Sequence, residues 1–356
     1  MNDRDYAEIV RVYHDSGKNK TATGQVLGVS ARTIGRWLEI AEERNLFPKK
    51  DKVSIEPLPP QMMTDEELFH FRIEQTSNNI LREDAKNWRK VHLDTDLPIG
   101  LAVFGDPHID NKNANLLRFK KHLEIVASAA NRVYCVNIGD VLDNWKGNEK
   151  LAQKKCDDNG MSYEDGLRMV NYVLNQSGAN WLLWLHGNHE AWNQLTTIVE
   201  LMGTNKVTTI FEYWEAKLSL TFSNAVTYRL WARHNFKGSS QWSKIIGLNK
   251  AARLLEEADL YCAGHTHEFG YGQEYIAERN LFPTTLRVRG YKTHDDYAKT
   301  HGFANGNDGE MAFVVIDPLC KNPNHRTTVF ADPQKGLMYL DMLRRHYADS
   351  HASVPE

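Results

Sequence analysis

The chain has 356 residues, 41% hydrophobic and 25% charged, with 43 Lys+Arg against 46 Asp+Glu and a net charge of −3. At about 150 residues per domain, that length allows two domains, or one large domain with an appendage. The near balance of charge excludes a global positive field as the means of holding nucleic acid, so any such binding needs a local patch. Cys135, Cys156, Cys262 and Cys320 lie far apart with no CxxC pair, which argues against a disulfide framework and a zinc ribbon. The start, MNDRDYAEIV, is polar, and the densest apolar run, Trp181–Leu185, is too short to span a bilayer. A reduced, cytoplasmic protein with no membrane partner is expected.

Residues 4–16 place Tyr6, Ile9, Val10 and Tyr13 at helical spacing and end at Gly17. A shorter helix is expected over 21–27, ending at Gly28. Ser30 is a good N-cap for a third helix over 31–44, with Ile34, Trp37, Leu38 and Ala41 on its apolar face. Gly28 sits at the turn of a helix-turn-helix pattern over 20–39, and 1–47 reads as a small all-α domain. The pattern resembles transposase, resolvase and phage small-terminase DNA-binding domains, with Gly24 where these usually carry Ala. The resemblance implies a recognition helix from about Ala31 that presents Ser30, Arg32, Thr33 and Arg36 to the major groove of DNA. Nine Lys/Arg against seven Asp/Glu over residues 1–50 make a modest patch.

Residues 48–63, with prolines at 48, 57, 59 and 60, read as a linker. Thr64 with Glu67 forms a capping-box pattern that opens a connecting helix to about Trp88, within a segment 64–96. Its apolar residues (Leu68, Phe71, Ile73, Ile80, Leu81) imply packing against another element. From about 97 short apolar runs alternate with helical stretches. The runs are Ile99–Phe104, Val133–Ile138, Trp181–Leu185, Val226–Ala232, Leu260–Ala263 and Met311–Ile316; the helices are expected over 113–130, 161–176, 192–202 and 241–258. That is α/β alternation over 97–335, with helices on both faces of largely buried strands. The polar end, 336–356, reads as a C-terminal tail.

Each of five strand-like runs is followed by potential ligands. Gly105-Asp106-Pro107-His108 comes after the first and Gly139-Asp140-Val141-Leu142-Asp143 after the second. Gly187-Asn188-His189-Glu190 comes after the third, Arg233-His234-Asn235 after the fourth and Gly264-His265-Thr266-His267 after the fifth. In α/β sheets the crevice beyond the carboxyl ends of the strands is where ligands bind. Carboxylate, imidazole and amide donors without thiolate suit Mn²⁺, Fe or Zn²⁺. Seven such groups exceed one tetrahedral ion but fit two ions about 3.5–4 Å apart. A water shared by two such ions loses a proton near neutral pH.

These five blocks, in this order and spacing, resemble the calcineurin-like metallophosphoesterase superfamily over 97 to about 335. The resemblance implies a two-sheet sandwich flanked by helices. It implies that Asp106, His108 and His267 hold one divalent ion, that Asn188, His234 and His265 hold the other, and that Asp140 bridges them. Mn²⁺ stands first among the ions, with Fe, Zn²⁺ or Mg²⁺ as alternatives. His189 matches the family's catalytic histidine. Asp143 is followed by Asn144-Trp145 instead of the Arg-Gly of the phosphoprotein phosphatases, which argues against that subgroup. Beyond His234, Lys237 with Ser239-Ser240 ahead of the expected helix 241–258 forms a candidate phosphate grip.

The whole resembles bacteriophage DNA-associated metallophosphoesterases, which implies a bacterial or phage-infected cytoplasm. The reading is a dinuclear metal-dependent phosphodiesterase, a DNA nuclease tethered to a DNA-binding module. The alternatives are a phosphatase or small-molecule phosphodiesterase whose N-terminal domain mediates assembly, and a DNA-binding regulator.

Overall fold

The computed structural model describes residues 1–48, 63–143, 161–175, 177–192, 209–238, 240, 242–293 and 309–352. The expected linker residues 49–62, Asn144, Trp145, Ser239 and all but the first residue of the helix expected over 192–202 lie outside them. The chain divides into two compact units, Met1–His70 and Phe71–Glu356. No helix among the described residues is long and apolar enough to cross a membrane.

In the first unit, α1 (Asp3–Asp15) is capped by Asn2, whose side chain accepts from Arg4 and Asp5 N–H while Asp5 bonds back to the Asn2 amide. Asn19 caps α2 (Lys20–Leu27), and Gly28 ends it in the left-handed region at φ 70°. Ser30 caps α3 (Ala31–Glu43). Tyr6, Ile9 and Val10 of α1 and Ile34, Leu38 and Ala41 of α3 form the core. Gly24 is buried, and a Cβ there would lie 2.5 Å from the Val29 carbonyl oxygen, so alanine would not fit this tight turn.

The capping box at Thr64 and Glu67 forms, and α4 spans Asp65–Lys86. None of its residues is buried. At 3.6 residues per turn Leu68 and Phe71 fall opposite Ile73 and Ile80, so its apolar residues make no single face to pack.

The second unit is built on two six-stranded sheets. One has the order β1 (Arg89–Leu93), β6 (Glu215–Phe222), β7 (Thr227–Arg233), β8 (Leu260–Ala263), β10 (Thr284–Arg287), β9 (Gly270–Gln273). The other runs β12 (Thr327–Phe330), β11 (Met311–Ile316), β2 (Ile99–Phe104), β3 (Val133–Asn137), β4 (Trp181–His186), β5 (Ile210–Tyr213). Strands β2, β3, β4 and β5 are mutually parallel, as are β7, β8 and β10.

Leu101 and Val103 pack with Leu230, Leu260 and Leu286 in the core between the sheets. Ala102 and Phe104 face the opposite way, against Phe119 and Leu123 of α5 (Leu116–Ala127) and Leu167 and Val170 of α6 (Tyr163–Asn175). Trp231 and Tyr261 meet Leu248 of α8 (Ile246–Leu254) on the far side of the other sheet. A short α7 (Asn188–Ala191) follows β4. The expected α/β sandwich is therefore present, with the period-two alternation that puts successive residues on opposite faces.

Six strands fall outside the continuous apolar runs. β6 alternates buried and part-buried residues along EAKLSLTF. β10 is buried throughout although it reads Thr-Thr-Leu-Arg. The expected tail over 336–356 is a correction: Pro333–Ala352 forms α9. Leu340 is buried, with Leu337, Tyr339 and Leu343 packed beside it, so one narrow apolar stripe docks the helix on the sheet. Arg132 pairs with Asp341 at 2.7 Å, and Arg344 donates to the Pro98 carbonyl at 2.6 Å.

Replacing Leu340 by Ala leaves a cavity in this layer and should destabilise the protein by about 2–5 kcal/mol in urea unfolding, where a tail residue would cost nothing.

Candidate metal centre

The ends of β2, β3, β4, β7 and β8 converge. Asp106 and His108 follow β2, Asp140 follows β3, Asn188 and His189 follow β4, His234 follows β7, and His265 and His267 follow β8. Four of these side chains leave from left-handed backbone: His108 (φ 44°), Asp140 (49°), His265 (68°) and His267 (52°). Such conformations cost on the order of 1–3 kcal/mol each and gather where function constrains the chain. At Gly187 a Cβ would stand 2.1 Å from Asp140 Oδ1 and 2.7 Å from His234 Cε1, so no other residue lets these turns meet.

Two overlapping sets of side chains bring one donor atom each within 4.8 Å of the others: His108, Asp140 and His189, and Asp140, His234 and His265. Asp140 belongs to both. His234 Nε2 lies 3.0 Å from Asn188 Oδ1, 3.1 Å from His265 Nδ1 and 3.3 Å from Asp140 Oδ2. His267 Nε2 lies 3.1 Å from His108 Nε2 and 3.5 Å from Asp106 Oδ2. Ligands about 2.1 Å from one ion stand about 3.0–3.4 Å apart, so these spacings suit donors that share cations. Asp106 Oδ1 is buried and accepts no hydrogen bond from the described residues. The donor set therefore fits divalent ions: the second set joins Asp140, His234 and His265, with Asn188 Oδ1 beside His234, and the first joins His108 and Asp140 with His189, where Asp106 and His267 were expected.

Charge in this cluster is only partly compensated by the protein. Burial pushes the Asp106 carboxyl up to about 8, and Asp140 adds to the effect against the pull of His234. Burial works against ionised Asp140 too, but cationic His234 and His189 outweigh it and hold that carboxyl well below the usual range. Burial disfavours cationic His234, yet Asp140 and Asp106 raise it to about 10. His265 and His267 reach the surface at one edge, but their ring nitrogens face the cluster. Desolvation there lowers His265 to about 4 and His267 well below an ordinary imidazole.

A second layer fixes these groups. His234 Nδ1–H donates to the Ile138 carbonyl at 2.9 Å, which leaves Nε2 as the atom facing the cluster. The Asp143 carboxylate lies 3.1 Å from both His108 Nδ1 and Lys292 Nζ and accepts from Asn111 Nδ2 at 2.6 Å. His189 Nδ1–H donates to the Asp143 carbonyl oxygen, which turns Nε2 towards Asp140 Oδ2, 3.7 Å away. Buried Glu190 accepts from the amides of Asp140 (3.0 Å), Leu142 (3.2 Å) and Gly187 (2.8 Å), fastening the turn after β3 to the turn after β4. Arg287 donates to the carbonyls of Gly264 (2.6 Å) and Lys244 (2.7 Å) and so supports the turn that carries His265. Of these supports Asp143 and Glu190 lie inside the motifs. Asn111, Lys292 and Arg287 had no signal in the sequence, because each is an isolated polar residue distant from its partner in the chain.

Lys237 is exposed just beyond His234, and Ser240 Oγ accepts from the amides of Trp242 and Ser243, so the turn it closes leads towards α8. Ser239 lies outside the described residues. In the other unit Arg32 and Arg36 are exposed on α3, whereas Ser30 and Thr33 bond each other (Oγ to Oγ1, 2.9 Å) in the cap.

No protein-family model matches this chain, and no curated protein does. Among solved structures the chain is similar to the calcineurin-like phosphoesterase YfkN of Bacillus subtilis (TM-score 0.36, 9% identity, 70% of this chain and 98% of that one). It is similar also to a metallophosphoesterase of Sphaerobacter thermophilus (0.31, 14%, 68% and 95%). A third is zinc-complexed Vps29 of Entamoeba histolytica (0.30, 10%, 65% and 97%). These likenesses are slight, and the site stands on its own geometry.

Glu190→Gln should expose the role of the carboxylate clamp. The amide NH₂ must face at least one of the three amide donors, so urea unfolding in EDTA should report a loss of about 1–3 kcal/mol. An unchanged midpoint would show that the two turns hold without it.

Proposed function

We propose that this chain is a calcineurin-like metallophosphoesterase that holds two divalent ions and cleaves phosphodiester bonds of DNA. The observation that carries the reading is the sharing of buried Asp140 between two sets of metal-type donors. Asp106, His108 and His267 would hold one ion, and Asn188, His234 and His265 the other. Bound there, the ions would supply positive charge to the phosphoryl oxygens and an acidified water as nucleophile.

The protein's own groups supply the rest. Asp140 offsets the mutual repulsion of two cations. His189, oriented through Nδ1 by the Asp143 carbonyl, offers Nε2 at the rim, where a proton can pass to the departing oxygen. A diester leaves as a poor alkoxide and gains most from such an acid. Lys237 and the Ser239-Ser240 turn, close in sequence to His234, would hold a neighbouring phosphate. In the N-terminal unit exposed Arg32 and Arg36, on a helix capped by Ser30, would anchor the enzyme to duplex DNA.

Metal binding tests the centre directly. Wild-type protein should take up two Mn²⁺ in calorimetric titration, and Asp140→Asn should lose both ions and turnover together. Uptake requires the carboxylates ionised and the imidazoles neutral. With Asp106 raised to about 8 and His234 to about 10, the apparent affinity should rise from pH 6.5 to 8.5, with protons released. Full metal content and full rate in Asp140→Asn would end the dinuclear assignment.

Substrate class is tested by a panel of duplex DNA, single-stranded DNA, bis-p-nitrophenyl phosphate and p-nitrophenyl phosphate with Mn²⁺. Diesters should be cleaved faster than the monoester. His189→Ala should harm DNA cleavage far more than release of p-nitrophenolate, which departs without protonation. Deleting 1–47 should weaken duplex binding and flatten its salt dependence. A preference for p-nitrophenyl phosphate with every nucleic acid uncut would favour the phosphatase alternative.

A further inference from the structure

The stretch that follows the His234 turn is unlike the rest of the chain. Residues 233–255 carry Arg233, Lys237, Lys244, Lys250 and Arg253 and no Asp or Glu, in a protein whose net charge is −3. Arg233, Lys244 and Arg253 pair with Glu215, Glu268 and Glu274, which leaves Lys237 and Lys250 as exposed ammonium groups. In the middle of this stretch Trp242 is 94% exposed.

Both sides of its loop are anchored. Phe236 is buried with Trp231 and Leu248 on one side, and α8 begins at Ile246 on the other. The Ser240 hydroxyl accepts from the amides of Trp242 (3.1 Å) and Ser243 (3.2 Å), which ties the Trp242 amide in place. Arg287 joins this loop to the metal centre: its guanidinium donates both to the Lys244 carbonyl and to the Gly264 carbonyl, immediately before His265. An exposed indole in this basic stretch, two residues before the Lys244 whose carbonyl shares Arg287 with a candidate ligand turn, is a stacking platform for a π-face.

We propose that Trp242 stacks on an unpaired nucleobase of the DNA strand entering the metal centre, so that the favoured substrate is single-stranded DNA or a frayed end. This rests on the diesterase reading above and adds to it the strand state of the substrate. In a duplex the faces of the bases are covered by their neighbours, and only a base out of the stack offers the area that Trp242 would cover.

The test compares oligothymidylate with the same strand carrying an abasic site at each position in turn, in Mn²⁺ with the full chain. Trp242→Ala should raise KM for oligothymidylate by about 5- to 100-fold, the range for losing one stacked base, and Trp242→Phe should recover most of it. In wild-type protein one abasic position should raise KM by a similar factor, and Trp242→Ala should add nothing further on that strand. An unchanged KM in Trp242→Ala, or losses that multiply at every abasic position, would overturn the platform while leaving the diesterase intact. A wild-type enzyme that hydrolyses bis-p-nitrophenyl phosphate but cuts no nucleic acid would remove the DNA reading and this proposal with it.

Discussion

A group of carboxylates buried at one end of a sandwich is the constraint on which the rest of this structure depends. Asp106, Asp140, Asp143 and Glu190 are all buried, and an uncompensated buried charge costs several kcal/mol. The protein meets each in a different way. Glu190 is surrounded by amide donors, Asp143 by Lys292, Asn111 and His108, and Asp140 by imidazoles. Asp106 is the least compensated, with a raised pKa and one oxygen that meets no donor among the described residues. A cluster so arranged is poised for cations from outside the chain.

Holding those charges together requires backbone that ordinary turns do not provide. The left-handed conformations at His108, Asp140, His265 and His267 and the absent side chain at Gly187 bring five strand ends within reach of one another. The inter-sheet core sustains the strain. Leucines and valines of β2, β3 and β4 interdigitate with those of β7 and β8, and parallel strands in both sheets deliver their carboxyl ends to a common rim. The same rim, followed one step along the chain from His234, becomes the basic segment and the exposed Trp242.

How much of this was legible depended on whether a residue's role was written locally. Helices with caps were readable: Ser30 and the Thr64–Glu67 box sit beside the backbone groups they satisfy. Strands buried on both faces, such as Ile99–Phe104 and Met311–Ile316, stand out as apolar runs. β6 did not, since half its residues face a less buried side, and neither did β10, whose Thr and Arg residues are buried by what surrounds them. α9 was missed because a single stripe containing Leu340 suffices to dock the helix.

The sequence by itself determined the strand-and-ligand grammar: an apolar run followed by Asp, Asn or His, five times over, with a glycine between them in four of the five. That is possible because a ligand at a strand end is positioned by the few residues before it. Tertiary structure alone decided which groups support those ligands. Lys292 meets Asp143 from 149 positions away, and Arg287 reaches back to Gly264 and Lys244. Such pairs are created by tertiary contacts between distant elements and leave no periodicity in the chain. A buried cation and its carboxylate need only meet in the folded protein, and nothing in the spacing of the residues between them records that they do.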